Sequence, residues 1–233
     1  MNEVLHKLKH KLIVSCQALE DEPMFGEGIM AKMAKAACLG GAGGIRANSV
    51  SDIRDIQRTV NVPIIGIIKK NYPDSQVYIT PTMEEVDALV ETGVEIIAMD
   101  ATGRDRPGGI GFAEFFTEVR KKYPNQLFMA DTARFSDGVL AQELGFDILG
   151  TTMSSYTPET KGRMIPDFEL MERYVRELSL PVIAEGGIIS PQQLQQAMDT
   201  GVHAAVVGSV ITRPMFITRL YTSALDQWLE AGL

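Results

Sequence analysis

The sequence Pro63-Ile-Ile-Gly-Ile-Ile-Lys69 is a short apolar run that ends in a charged side chain. A continuously apolar run of this length is typical of a parallel β-strand covered on both faces, whereas a half-exposed strand alternates polar and apolar residues. Seven further runs of the same kind are predicted to be strands, at residues 12–18, 43–47, 96–100, 127–131, 148–151, 181–185 and 204–209.

Amphipathic stretches separate these runs and predict helices. Two of them begin at capping sequences, Thr82-Met-Glu-Glu85 and Ser190-Pro-Gln-Gln193, and three end at a glycine, Gly93, Gly145 or Gly201. The predicted helices cover residues 29–39, 49–59, 83–92, 113–122, 133–144, 167–178, 191–200 and 214–230.

Eight strand–helix units in 233 residues predict an α/β fold, a single-domain (β/α)8 TIM barrel spanning residues 1–233. The alternative is an open doubly wound sheet, which should carry a G-x-G-x-x-G turn between an early strand and its helix. The glycine-rich sequence at 40–44 instead precedes the second predicted strand, where it indicates a helix exit and close strand packing.

The composition narrows the partners and the chemistry. The 22 Lys and Arg residues against 30 Asp and Glu residues give a formal net charge of −8, which argues against a broad nucleic-acid or anionic-membrane surface. No apolar run approaches the roughly 18 residues of a membrane span, and the charged N-terminus predicts no secretory signal. Cys16 and Cys38 form no metal-binding motif and are expected to be two buried thiols, so we expect a cytoplasmic protein.

Polar residues stand at the carboxyl end of every predicted strand, where barrels of this kind place their active sites. By strand alternation, Lys69 should share a face with Ile65 and Ile67, and Glu185 with Ile183. If that face is the barrel interior, two carboxylates, one amine and one guanidinium converge at the mouth. The eight terminal residues are Gln17, Arg46, Lys69, Asp100, Asp131, Thr151, Glu185 and Ser209.

The loops after the last two strands predict a phosphate site. They read Glu185-Gly-Gly-Ile188 and Gly208-Ser-Val-Ile-Thr-Arg213. Gly186, Gly187 and Gly208 let the backbone approach an anion, Ser209 can donate a hydroxyl hydrogen bond, and Arg213 supplies charge.

The three histidines, His6, His10 and His203, do not lie at strand ends, which disfavours a histidine metal site or a histidine base. We predict no metal, although a Mg²⁺ site built from carboxylates alone (Asp100, Asp131 and Glu185) stays open. A base at the mouth must then be Lys69 or a carboxylate. Burial or a second cation would favour neutral Lys69, and Arg46 is a better placed neighbour than Lys70, which should point to the other face.

Longer stretches around these strand ends resemble a known family. They are Ser15-Cys-Gln-Ala-Leu19, Gly44-Ile-Arg-Ala-Asn-Ser49, Pro63-Ile-Ile-Gly-Ile-Ile-Lys69, residues 72–82 (YPDSQVYITPT), Met129-Ala-Asp131, Gly150-Thr-Thr-Met-Ser154 and Ile183-Ala-Glu-Gly186. Together they resemble the N-acetylmannosamine-6-phosphate 2-epimerase family of (β/α)8-barrel enzymes, over nearly the whole chain.

The resemblance implies a function and residue roles. The family interconverts N-acetyl-D-mannosamine 6-phosphate and N-acetyl-D-glucosamine 6-phosphate in sialic acid and amino-sugar catabolism, without a cofactor, and the expected partner is this small phosphosugar. By position, Lys69 is implied to be the catalytic base and Glu185 the second acid/base group. The implied substrate-binding residues are Gln17, Arg46, Asp131 and Arg213. Gly187 stands where many members of the family carry Lys or Arg, which leaves Arg213 and backbone amides to hold the phosphate.

Three other functions fit parts of the pattern: a Schiff-base aldolase using Lys69, a metal-dependent pentose-phosphate epimerase, and a non-catalytic sugar-phosphate sensor. The resemblance also suggests a homodimer. The C-terminal stripe is expected to be the last barrel helix packing on its own barrel, with an interface as the alternative. Its large apolar residues are Leu220, Tyr221, Leu225, Trp228 and Leu229.

Overall fold

The computed structural model describes residues 2–231. Its strands are β1 (Leu12–Cys16), β2 (Gly44–Asn48), β3 (Ile64–Ile67), β4 (Ile96–Asp100), β5 (Leu127–Asp131), β6 (Ile148–Gly150), β7 (Val182–Ala184) and β8 (Ala204–Val207). Its helices are α1 (Glu3–Leu8), α2 (Ile29–Leu39), α3 (Val50–Gln57), α4 (Met83–Val90), α5 (Phe112–Lys122), α6 (Phe135–Glu143), α7 (Phe168–Glu177), α8 (Pro191–Asp199), α9 (Ser209–Thr212) and α10 (Pro214–Glu230).

The eight strands form a closed parallel barrel in chain order, with β8 pairing back to β1. This confirms the (β/α)8 prediction, and no bound of a predicted strand or helix differs from the observed one by more than two residues. The predicted helix stops also hold, because Gly93, Gly145 and Gly201 adopt φ values of 72°, 86° and 89°. Ser190 caps α8 by accepting a hydrogen bond from the Gln193 amide.

The strand side chains divide into two cores. Ile65, Ile67, Met129 and Ile183 belong to a cluster inside the barrel, while the alternate residues pack outward against the helices. The predicted shared face is therefore the barrel interior. Because Lys69 follows that face by two residues, its side chain continues the interior column upward into the mouth.

A short helix closes the opposite end of the barrel and was not predicted. α1 buries Leu5 and Leu8 in the interior cluster, and the Leu5 carbonyl lies 2.7 Å from Nε2 of His203. Gly44 packs closely against this closure, since a Cβ there would lie 2.6 Å from Cδ2 of Leu8. With only six residues, α1 carries too little periodicity for the sequence to reveal it.

The C-terminal helix corrects one prediction. We expected its apolar stripe to pack on its own barrel, but α10 buries none of its residues. The exposed fractions range from 42% to 73% for Leu220, Tyr221, Leu225, Trp228 and Leu229. The amphipathic pattern correctly predicted a helix but wrongly predicted that its apolar side packs on the same barrel.

Two smaller features complete the fold. Cys16 is buried as expected, whereas Cys38 is only half-buried, and both are free thiols. None of the helices within residues 2–231 combines the length and apolarity that crossing a membrane requires.

Candidate active site

A cavity of about 490 Å³ opens at the carboxyl ends of the strands. It brings together nine of the ten predicted site residues, and the tenth, Asp131, lies buried beneath Arg46. The nine are Gln17, Arg46, Lys69, Glu185, Gly186, Gly187, Gly208, Ser209 and Arg213.

An arginine crosses the mouth and joins three strands. The guanidinium of Arg46, at the middle of β2, pairs with both carboxylate oxygens of Asp131 at 2.6 and 3.0 Å and with Glu185 at 3.0 Å. Arg46 and Asp131 are 1% and 0% exposed. Burial opposes the charge on Arg46, but the two carboxylates outweigh it and raise the pKa of Arg46 above its ordinary value. The arginine is therefore a fixed positive charge at the floor of the cavity.

The Lys69 amine has a lowered pKa. Its backbone N–H donates to Oδ1 of Asn48 at 2.8 Å, which ties the end of β3 to β2. Burial, followed by the charges of Arg46 and Arg213, lowers the pKa of the Lys69 amine to about 8. Lys70 points away, as expected, and pairs outside the cavity with Glu84 and Glu85. A lysine with this pKa can take up a proton near neutral pH.

The pKa of Glu185 is shifted in the opposite direction, upward. Burial raises its pKa and the nearby Asp131 carboxylate adds to this, while Arg46 acts against them. The hydroxyl of Thr152 lies 3.2 Å from Oε2 of Glu185 and 2.7 Å from Oδ1 of Asp131. A carboxyl group with a raised pKa and a lysine with a lowered pKa face one cavity, which is the pairing that acid–base chemistry requires.

Two glycines in the loop after β7 line the cavity and have positive φ angles. Gly186 and Gly187 have φ values of 107° and 72°, and a Cβ at Gly187 would lie 2.7 Å from Ile165, so no larger residue fits here without strain. The short helix α9 begins at Ser209 directly after β8, as in barrels that bind phosphate there. Among residues 2–231, no hydrogen-bond acceptor pairs with the amides of Gly186, Gly187 and Ser209.

Arg213 ends this loop and pairs with a carboxylate from the loop after β1. Its Nε and Nη2 lie 3.0 Å from Oε1 and Oε2 of Glu22, respectively. The sequence predicted Arg213 in this position but not its partner, because the two residues are far apart in the chain.

Three of the eight predicted strand ends do not line the cavity: Asp131 lies beneath Arg46, Thr151 donates its hydroxyl to the Glu185 carbonyl, and Asp100 lies apart from both. Asp100 turns toward Arg104 and Thr102, and only Asp131 and Glu185 share the Arg46 guanidinium. The described residues contain no group of three His, Cys, Asp or Glu side chains that could hold a metal ion. Of the three carboxylates considered for Mg²⁺, Asp131 and Glu185 pair with Arg46, and Asp100 pairs with Arg104.

Several residues that line the cavity were missed from the sequence, among them three aromatic residues and one threonine. Tyr78, Thr152, Tyr156 and Phe216 line the cavity. Thr152 directly follows the predicted end of the sixth strand, which was a usable signal. Tyr78 and Tyr156 come from long loops, and Phe216 comes from the first turn of α10, so only the folded chain places them.

A larger groove, of about 980 Å³, lies on the outer wall between α6 and α7. Each of its arginines pairs with a nearby carboxylate, and it contains none of the predicted site residues. The mouth is therefore the candidate active site. The arginines in question are Arg134, Arg163 and Arg173.

Known proteins resemble this chain in sequence and in fold. Residues 30–227 match a family model described as "Putative N-acetylmannosamine-6-phosphate epimerase". This chain belongs to that family. A relative from Listeria monocytogenes, named "Putative N-acetylmannosamine-6-phosphate 2-epimerase", is 50% identical over 231 residues, covering 98% of each chain. A relative of the same name from Caldanaerobacter subterraneus subsp. tengcongensis is 48% identical over 228 residues, covering 97% of this chain and 95% of the relative.

Solved structures extend the comparison. The N-acetylmannosamine-6-phosphate 2-epimerase from Clostridium perfringens matches with a TM-score of 0.91 and 48% identity, over 96% of both chains. Thiamine phosphate pyrophosphorylase from Pyrococcus furiosus matches with a TM-score of 0.61 and 17% identity, over 91% of both chains, and so shares the fold alone. Membership of the epimerase family and the resemblance drawn from the sequence therefore agree.

Proposed function

We propose that this protein interconverts N-acetyl-D-mannosamine 6-phosphate and N-acetyl-D-glucosamine 6-phosphate by removing and returning the proton on C2, a step of sialic acid and amino-sugar catabolism. The observation that carries the proposal is the pairing of a lysine of lowered pKa with a carboxyl group of raised pKa in one cavity, in a chain of this family. The reaction needs an acid–base pair and an anion anchor, and it consumes no redox equivalent.

The chemistry starts from the open-chain sugar. Carbon 2 lies next to the C1 aldehyde, so the carbanion formed at C2 delocalises onto O1. In this proposal Glu185 moves protons between O5 and O1 during ring opening and closure. Lys69 then removes the C2 proton to give an enediol-like intermediate, and reprotonation on the opposite face inverts C2. The positive charge of Arg46 stabilises the oxygen on which negative charge develops.

The remaining residues hold the substrate. Arg46 positions sugar oxygens, and Gln17, buried just after β1, positions the acetamido group. Asp131, predicted to bind substrate directly, is buried beneath Arg46 and holds that arginine in place instead. The phosphate is assigned to Arg213 and to the loops that follow β7 and β8, at Gly186, Gly187, Gly208 and Ser209. The unpaired amides there and the charge of Arg213 support this assignment. Because the phosphate lies far from C2, its binding energy can fix the reacting atoms without being altered by the reaction.

One NMR experiment tests the function. The protein is incubated with N-acetylmannosamine 6-phosphate in D₂O, and the expected result is N-acetylglucosamine 6-phosphate with deuterium at C2. Release of a triose or pyruvate would identify an aldolase instead. Binding without turnover would identify a sensor, and loss of turnover with EDTA would identify a metal-dependent epimerase.

We also infer a homodimer, in which α10 provides the contact. Its exposed apolar residues support this, because a surface of this kind is costly to leave in water. Replacing Leu225 with Glu should convert a dimer to a monomer in sedimentation analysis. The matched control is Asp226→Asn, one residue along the same helix, which should leave the dimer intact. A monomeric wild-type protein would contradict the inference.

Free thiols and a phosphorylated substrate support a cytoplasmic location.

A further inference from the structure

We propose that Glu22 is a positioning residue for substrate phosphate, which holds the Arg213 guanidinium by one edge and presents its other edge to the active-site cavity. The proposal rests on the assignment of Arg213 to the phosphate. Glu22 lies in the loop after β1 and is remote in sequence from both phosphate-binding loops.

The contacts between the two side chains are specific. Nε of Arg213 lies 3.0 Å from Oε1 of Glu22, and Nη2 lies 3.0 Å from Oε2. This is a side-on, two-point pair, the geometry that matches a guanidinium to a carboxylate best. The Glu22 side chain is itself fixed, because the backbone N–H of Leu19 donates to Oε2 at 2.8 Å.

The pair leaves donors available. A guanidinium carries five N–H groups, and the side-on pair uses one on Nε and one on Nη2. The remaining fork, formed by Nη1 and the second hydrogen of Nη2, is the edge that binds a phosphate in a two-point manner. The carboxylate therefore orients the arginine without occupying its phosphate-binding edge.

The two cavities that Arg213 lines indicate on which side of its guanidinium Glu22 lies. Arg213 lines both the active-site cavity and a side cavity of about 240 Å³, whereas Glu22 lines only the side cavity. Glu22 therefore contacts Arg213 from outside the active-site cavity, and we assign the free edge of the guanidinium to that cavity. Since the side chains of Arg213 and Glu22 are only 31% and 16% exposed, their pair is partly shielded from solvent.

A positioning role and a purely electrostatic role for Glu22 predict opposite effects of Glu22→Gln on substrate binding. Removing a negative charge near an anionic substrate should tighten binding if charge alone mattered. If Glu22 positions Arg213, Glu22→Gln must instead weaken binding, since the freed arginine has to be ordered each time phosphate binds. The ordering cost of one such side chain corresponds to a rise in KM of about 3- to 10-fold, with kcat unchanged within about twofold.

The test compares Glu22→Gln with Asp21→Asn, an exposed neighbour that removes the same charge from the same loop. We expect KM for N-acetylmannosamine 6-phosphate to rise only in Glu22→Gln. NMR titration with inorganic phosphate should show the same weakening, and this binding readout does not depend on turnover. In an Arg213→Met background, Glu22→Gln should have no further effect.

The controls separate this proposal from the proposed function. Absence of C2 exchange in the wild-type protein would remove the epimerase assignment and leave the phosphate titration as an independent test of Glu22. An unchanged or lower KM in Glu22→Gln, or an equal effect in the Arg213→Met background, would overturn the positioning role. If Glu22→Gln does not fold, Glu22→Asp, which is too short to reach both nitrogens, should show the same phosphate-specific loss.

Discussion

Replacing Lys69 with Met should abolish exchange of the C2 proton while the barrel stays folded. The substitution keeps the length and apolar stem of the side chain and removes only the amine. The neighbouring carboxylates of Asp131 and Glu185 pair with Arg46, and Lys69 forms no ion pair within residues 2–231, so the barrel loses no paired charge. We expect a melting temperature close to that of the wild-type protein.

The size of the effect follows from the pKa. An ordinary lysine, with a pKa of 10.5, is neutral in about one molecule in 3,000 at pH 7, whereas Lys69, with a pKa of about 8, is neutral in about one in ten. The fold therefore makes the base several hundred times more available. A positioned general base contributes roughly 100- to 10,000-fold to a rate, and Lys69→Met should lose at least this much.

The pKa of Lys69 predicts that activity rises with pH. The neutral amine is the active form, so kcat/KM should rise about tenfold per pH unit below pH 7 and level off above about pH 9. Arg213→Met should move this midpoint to higher pH, since the Arg213 charge helps lower the pKa of Lys69.

The assay is C2 deuterium incorporation followed by NMR between pH 6.5 and 9.5. Lys70→Met is the matched control, because the adjacent Lys70 pairs with Glu84 and Glu85 outside the cavity and hydrogen bonds to Tyr72, Glu85 and Glu84 raise its pKa. Exchange at the wild-type rate in Lys69→Met, or a flat profile between pH 7 and 9, would refute the reasoning.

Three further substitutions test separate parts of the site. Glu185→Gln should keep phosphosugar affinity but lower kcat about 100-fold or more, measured by calorimetry and NMR turnover; equal turnover would remove Glu185 from the mechanism. Arg213→Met should raise KM about 10- to 100-fold, the worth of charge-assisted hydrogen bonds, and an unchanged KM would place the phosphate elsewhere. Asp131→Asn breaks a buried pair with Arg46 worth about 3–5 kcal/mol, which corresponds to a fall of about 6–20 °C in melting temperature by circular dichroism. A shift under 2 °C, roughly, would show that Glu185 compensates for the lost charge.

Much of the site was predictable because barrel geometry is repetitive. Parallel strands that end at one edge bring their terminal side chains together, so strand alternation placed Lys69 and Glu185 on the inner face. The same rule was only partly right for Asp100, because Arg104, four residues later, draws its carboxylate away from the cavity. The direction of the Asp100 side chain depends on its ion pair with Arg104, which the alternation of strand residues does not predict.

The sequence by itself determined the strand and helix order, the closed parallel barrel, and the polar residues at its mouth. These follow from local patterns, since apolar runs, capping residues and glycines act within a few positions of the chain. The tertiary structure decided what depends on approach across the barrel. Arg46 on β2 meets Asp131 on β5 and Glu185 just after β7. Glu22 meets Arg213 from the opposite end of the chain, and α10 exposes its apolar residues. Charge pairing and burial depend on groups that are close in space but distant in the chain. The pKa of Lys69 and the exposure of the apolar residues of α10 are therefore set by the tertiary structure.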